Sequence, residues 1–236
     1  MKTLTINFSS PLQSYGNEAS FSSRTSSYYP SKSAVIGMLA AAMGYRRDDN
    51  RIIALNNLKF AVRVDQPGRT LRDYQTVEWK KGTRKITYRD YLQDAVFVVA
   101  VGSNDPQLID TLAYTLRHPK FQLFLGRRAN VPAGPLKLHT VADKNPIQAL
   151  SNLEWQASTW FQRQKKKSVV SVELIADADL LPKSVTNRLA KDNVISFDQR
   201  HRQLSYRAIA SQRIQLTNKS FEKTIADSNH DVFTFI

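Results

Sequence analysis

Apolar and polar residues alternate along the first stretch of the chain, where Leu4, Ile6 and Phe8 are separated by Thr and Asn. That is the period-2 pattern of a strand with one buried face. A polar, serine-rich loop over residues 9–29 follows. Pro30-Ser31-Lys32-Ser33 then opens a segment whose Val35, Met38, Leu39, Ala42 and Met43 recur at helical spacing, and Gly44 stands where a left-handed cap ends a helix. A shorter helical piece over 48–56 leads to Leu58, Phe60, Val62 and Val64, which alternate as a second strand. Residues 95–101 are continuously apolar, as in a strand covered on both faces. Asp105-Pro106 starts a helix with Leu108, Ile109, Leu112, Ala113 and Leu116 on one side, and Phe121, Leu123 and Leu125 alternate after it as a fourth strand.

The order βαββαβ predicts an α+β, ferredoxin-like sheet with the first and third strands central. The 30 residues from Asp65 to Asp94 are too long for the hairpin between strands two and three, because such loops usually take about 2–5 residues. Something projects from the sheet there. Within it, Trp79 to Arg89 carries five basic residues and no acid, with Gly82 placed for a tight turn. One reading is a basic projecting thumb on which Trp79 and Tyr88 stack bases. The other is a solvated edge hairpin whose lysines block aggregation. Beyond Leu125 the pattern is β-rich, with strands expected at 168–175 and 205–216. This divides the chain into a sheet domain, 1–135, with its insertion at about 65–94, and a β-rich part, 136–236.

Charge changes the picture from fold to partner. Among 236 residues, 34 Lys and Arg face 20 Asp and Glu, a formal +14 with an isoelectric point near 10.0. Such an excess points to a polyanion, nucleic acid before acidic membrane. The absence of cysteine excludes disulfides, thiolate zinc sites and a cysteine nucleophile, and fits a reducing cytoplasm. The amino terminus lacks the apolar core of a signal peptide, and no apolar run approaches the roughly 20 residues of a membrane helix. The four histidines show no zinc-site spacing, and GxxxxGK[ST], GxGxxG and GxSxG are all missing. No metal or cofactor is expected.

Several places offer cations to an anion. Gly126-Arg127-Arg128 ends the expected fourth strand, where a missing side chain admits a phosphate and two guanidinium groups supply forked donors. The helix start at Ser31 to Ala34 offers free amides beside Lys32, with Arg24 just upstream. His201-Arg202 forms a third cluster. Arg163 to Lys167 is a charge run of the kind that usually marks a solvated loop.

Pro11-Leu12-Gln13-Ser14-Tyr15-Gly16, Ser23-Arg24-Thr25, the run Tyr29 to Leu39, Leu125-Gly126-Arg127-Arg128 and Ser196-Phe197-Asp198 with His201-Arg202 together resemble the CasD family, the fifth-named subunit of the type I-E CRISPR Cascade complex. The resemblance spreads over about 200 residues. It implies a RAMP-superfamily, non-catalytic protein that caps the 5′ handle of the CRISPR RNA and contacts the backbone subunit and the large subunit. Contact of a thumb with target DNA at the guide–target duplex stays open. Carried over by position, Gln13, Arg24, Ser31 and Lys32 lie near the handle, and Gly126, Arg127 and Arg128 form its loop. Trp79, Lys80, Lys81 and Arg84 of the thumb, with His201 and Arg202, are chosen by chemistry. The alternative is a metal-independent endoribonuclease using Tyr28 or Tyr29, Lys32 and His201, as in a related CRISPR subtype.

Overall fold

The structure is a computed structural model, and it describes residues 1–16, 22–182 and 185–221. In chain order its elements are β1 (Lys2–Ser9), β2 (Leu12–Gln13), β3 (Ser23–Arg24), α1 (Lys32–Met43), α2 (Arg51–Ala54), β4 (Lys59–Gln66), β5 (Arg69–Lys80), β6 (Thr83–Gln93), β7 (Val96–Ser103) and α3 (Pro106–Arg117). Then come β8 (Leu138–Val141), α4 (Pro146–Asn152), α5 (Thr159–Gln164), β9 (Val169–Asp177), β10 (Arg188–Ser196) and β11 (Gln203–Thr217). The result is a mixed α/β protein built on antiparallel sheet.

Seven strands share one sheet in the order β10-β11-β9-β4-β7-β1-β8. The continuously apolar β7 sits between β1 and β4, and both its faces are covered, as its sequence requires. Phe97, Val99 and Val101 enter the core under α1 and α3, while Val98 and Ala100 face the cluster that includes Leu150 of α4. The alternation in β1 and β4 places Leu4, Ile6, Phe60 and Val62 in the first of these cores.

Three expectations change. Residues 121–125 are not a strand. Leu123 and Leu125 do plug into the core, but the amides of Lys120 and Phe121 donate to the carbonyls of Ala42 and Ala41 at the end of α1, and the Leu125 amide donates to Asn130. Alternating burial came from packing, while the backbone was already engaged by a helix end. The strand beside β1 is β8 instead, which lies past residue 135, so one sheet continues across the expected division. Asp65 and Gln66 belong to β4, and the hairpin begins at Arg69. β10 had no expectation of its own.

Helix α1 is apolar nearly all round because it is enclosed, packing on α3 and on β10. Ser31 caps its start, accepting from the Ala34 amide, and Gly44 ends it at φ 82°, a left-handed backbone that costs glycine little. In α3, the Asp105 carboxylate caps the first turn and Pro106 follows at the first helical position.

Arg63 fixes the far side of the sheet. Its guanidinium is fully buried and pairs with Asp65, with Nε to Oδ1 at 2.6 Å and Nη2 to Oδ2 at 2.8 Å. The remaining donors reach the carbonyls of Leu150, Leu153 and Glu154. Asp65 also accepts from the Gln156 amide, and its carbonyl accepts from the Trp155 indole. Burial pushes the Asp65 carboxyl up, against the downward pull of Arg63. The knot ties the segment leading into α5 to the end of β4.

Candidate nucleic-acid interface

β5 and β6 form a long hairpin closed at Lys81-Gly82, where Gly82 has φ 76°. The register slips between Glu78 and Lys80, so Trp79 sits on a bulge. The root of the hairpin is not a free ribbon. β2 pairs with β6 through Leu12↔Gln93 and Gln13↔Leu92, and β3 pairs with it in parallel through Ser23↔Tyr88 and Arg24↔Arg89. The serine-rich loop thus lends two short strands to the edge of the hairpin, and its Arg24 is placed beside Arg89.

A third arginine arrives from the 125–130 loop. That loop is closed by the Leu125 amide donating to the Asn130 carbonyl and the Asn130 amide to the Arg127 carbonyl. Gly126 has φ 93°, and a Cβ there would lie 1.6 Å from the Ser14 carbonyl oxygen. Its lack of a side chain therefore serves the approach of Ser14, not of a phosphate. The approach has a purpose for its neighbour: Arg127 Nε donates to Ser14 Oγ at 3.1 Å and Nη2 to the Arg24 carbonyl at 3.2 Å. The guanidinium lies 4.9 Å over the Tyr91 ring.

Arg24, Arg89 and Arg127 gather with no carboxylate paired to any of them among the described residues. Arg127 is held below the ordinary guanidinium range, first by desolvation and then, against the opposing pull of Tyr91, by the neighbouring charges of Arg89 and Arg24. Asp90 is nearby but is engaged by Arg72, Nε to Oδ1 at 2.8 Å, which lowers its carboxyl. The Nε of Arg89 is buried without a hydrogen-bond partner among the described residues. An unsatisfied buried donor among like charges costs about 1–3 kcal/mol, and a bound oxyanion would remove both faults at once.

The expected site residues separate on this geometry. Arg24 and Arg127 come together, with exposed Arg128 on the same loop. Gln13 does not reach the surface: it is fully buried, its Nε2 donating to the Ala95 carbonyl and its Oε1 accepting from the Tyr15 hydroxyl. Lys32 is buried too, its ammonium 3.3 Å from Asp177, and burial lowers its pKa. The amide of Lys32 donates to Asp192 at 2.7 Å, so the anion at this helix start is the protein's own carboxylate. Arg207 completes the network, pairing with both Asp177 and Asp192. Ser31 is engaged as the cap of α1. The cleft lined by Lys32, Lys59, Asp177, Asp179, Asn193 and Arg207 is charge-balanced by the same pairs and by Lys59–Asp179.

Trp79, Lys80, Lys81 and Arg84 are exposed at the hairpin tip, with Arg84 3.7 Å from Glu78. Tyr74 and Tyr88 face each other in register and are both exposed, on the side of the ribbon opposite Arg89. His201 and Arg202 lie in the turn between β10 and β11, where the Arg202 guanidinium is 6.0 Å over Phe197. Phe197 in turn packs toward Gly37 of α1. The residues missing from the sequence-based set are Arg89, Tyr91 and Ser14. Arg89 and Tyr91 share a face by the period of two, a signal that was legible. Their pairing with Arg24 was not, because it depends on a two-residue parallel strand.

Arginines gathered without a salt bridge among the described residues, beside an aromatic hairpin on antiparallel α/β scaffolding, make the charge pattern of a protein class that binds polyanions. The chain belongs to the Cas5 family of CRISPR-associated proteins: the family described as CRISPR-associated protein (Cas_Cas5) matches residues 3–210. It is 32% identical to the CRISPR system Cascade subunit CasD of Escherichia coli (strain K12), over 64% of this chain and 76% of that one. Among solved structures, a chain of a CRISPR RNA-guided surveillance complex matches with TM-score 0.73 and 31% identity, covering 91% of each chain. A crystal structure of a Cas protein matches with TM-score 0.66 and 27% identity, covering 94% of this chain and 98% of that one. Among the described residues, no helix is long and apolar enough to cross a membrane.

Proposed function

We propose that this chain is a non-catalytic Cascade subunit that caps the 5′ handle of the CRISPR RNA through Arg24, Arg89 and Arg127. The carrying observation is that Arg24, Arg89 and Arg127 gather with no salt bridge to a carboxylate among the described residues, where the buried Nε of Arg89 also has no hydrogen-bond partner. One phosphate suits that place, with Arg128 reaching a neighbouring one. The order β8-β1-β7-β4 within the sheet supports a ferredoxin-like reading of the RAMP type. The length of the β5–β6 hairpin and its exposed Trp79, Tyr74 and Tyr88 support its reading as a thumb that stacks on bases, with Lys80, Lys81 and Arg84 at phosphates. The backbone and large subunits of the complex, in the cytoplasm, are the protein partners this reading carries.

The endoribonuclease alternative is weakened by two placements. Lys32 is held against Asp177 inside the protein, and His201 stands in an exposed turn where its amide donates to the Asp198 carbonyl, with no hydrogen bond or ion pair to Tyr28, Tyr29 or Lys32 among the described residues. The test is to purify the tagged chain with its complex and sequence the bound RNA. RNAs sharing one repeat-derived 5′ end, lost from the Arg24→Ala/Arg89→Ala/Arg127→Ala variant, support the reading. Unchanged RNA in that variant, or cutting of repeat RNA by the chain alone in EDTA, contradicts it.

A further inference from the structure

Residues 155–172 contain four cations, Arg163, Lys165, Lys166 and Lys167, and no acid. All four are exposed on α5 and the turn after it, beside Trp160, whose surface is 53% exposed. A run of this composition is usually a loose, solvated loop. Here it is fixed. The Lys165 amide donates to the Phe161 carbonyl at 3.2 Å and the Lys166 amide to Arg163 at 3.3 Å, while Lys166 takes a left-handed φ of 45°. Asn218, buried, clamps the turn from β11: its Nδ2 donates to the Gln162 carbonyl at 2.8 Å and to the Lys167 carbonyl at 2.9 Å. The Lys165 ammonium lies 4.7 Å over the Phe161 ring, and Phe161 meets Trp160 edge-on at 5.6 Å. The ammonium groups and the exposed indole thus form one ordered ridge.

The ridge and the arginine cluster lie on opposite sides of the main sheet. Trp155, at the root of α5, packs with Val170 and Val172, which share a strand face with Leu174 and the α4 core. Tyr15, next to Ser14 of the arginine site, packs on Phe97 in the α1 core.

We propose that this ridge binds a single strand of DNA, with the lysines and Arg163 on phosphates and Trp160 stacked on a base. The inference rests on the reading above in one respect, the assignment of the RNA end to the opposite face, which makes a strand here a separate molecule. Within the segment the four cations have no acid, and the flanking Glu154 is taken by Lys219; such a local excess of cations favours a polyanion. The exposed indole selects unpaired bases, because a duplex hides its base faces from stacking.

The experiment measures binding of fluorescent oligo-dT to the assembled complex carrying its RNA, across a salt series, with the RNA content assayed in parallel. Lys165→Gln/Lys166→Asn/Lys167→Gln is expected to weaken binding and to reduce the salt slope by up to about 2, at roughly 0.7 per phosphate contact. Asn suits the left-handed backbone at 166. Trp160→Ala is expected to weaken binding about tenfold with the slope unchanged. Both variants keep their RNA. Wild-type oligo-dT binding in both variants overturns the proposal, and so does loss of the RNA from either. RNA retained by the Arg24/Arg89/Arg127 variant, with normal loss of oligo-dT in the ridge variants, overturns the handle reading and leaves the ridge standing.

Discussion

The start of α1 and the arginine cluster contain the same kind of residue in opposite circumstances. At the helix start, Lys32 and Arg207 meet Asp177 and Asp192, the free amide of Lys32 is taken by Asp192, and the side chains are buried. At the cluster, Arg24, Arg89 and Arg127 gather with no salt bridge to a carboxylate among the described residues, although Asp73 stands across the ladder from Arg89, and the Arg89 Nε has no hydrogen-bond partner there. A cation therefore reads as structural or ligand-seeking by what neutralises it, and neither its position in a motif nor its place at a helix terminus decides. Both are close to residues of the family resemblance, yet their settings differ: one locks α1 to the C-terminal strands, and the other is the place proposed for an anion.

The sharpest way to break the comparison is Arg207→Ala. It leaves Asp177 and Asp192 buried with a single ammonium between them, and the expected loss is about 3–5 kcal/mol of stability, read by denaturant unfolding, with RNA affinity per folded molecule unchanged. Gly126→Ala comes next. The left-handed backbone alone costs about 1–2 kcal/mol, and the collision with Ser14 must move the loop that carries Arg127. RNA retention should fall together with the melting temperature. Lys32→Met keeps the stem and removes one partner of a buried pair, a change that costs about 3–5 kcal/mol when the other charge is stranded; Asp177 keeps Arg207 and the Phe60 amide, so the expected loss is smaller, about 1–2 kcal/mol.

The smallest effect is in acid. Arg72, chiefly by its hydrogen bond, holds the Asp90 carboxyl below the ordinary range. A carboxyl lower in the folded than in the unfolded state contributes stability above its unfolded pKa and loses it as pH falls through the folded value. Arg72 is largely exposed, so the contribution is below about 1 kcal/mol. Titration of Asp90 followed by NMR should show the depressed midpoint, and Arg72→Ala should return it toward the ordinary range.

Much of the core was legible because periodicity reports burial. β1, α1, β4, β7 and α3 stand where their apolar positions predict, and Ser31, Gly44 and Asp105-Pro106 mark helix ends as expected. Burial is not the same as pairing, which is why Leu123 and Leu125 carry the pattern of a strand without being one, while β8, short and half exposed, carries no such pattern. The candidate site was legible in composition and partly in residue. Arg24 and Arg127, which the resemblance names, come together in the candidate site, whereas Gln13, Ser31 and Lys32, which the same motifs name, have internal partners. Sequence proximity cannot reveal that Asp177 and Asp192, more than 140 residues away, already occupy the place where a phosphate was expected. The basic hairpin was visible in its charge, whereas the β2 and β3 strands that stiffen its root are two residues each and carry no periodic signal.

The most direct test compares the salt dependence of RNA retention in two variants, Arg24→Ala/Arg89→Ala/Arg127→Ala and Lys32→Met. Three lost phosphate contacts would lower the slope of log affinity against log salt by about 2 in the first, and the slope of the second would match wild type. Equal slopes in all three proteins, or a drop confined to Lys32→Met, would contradict the assignment of the arginine cluster to the RNA.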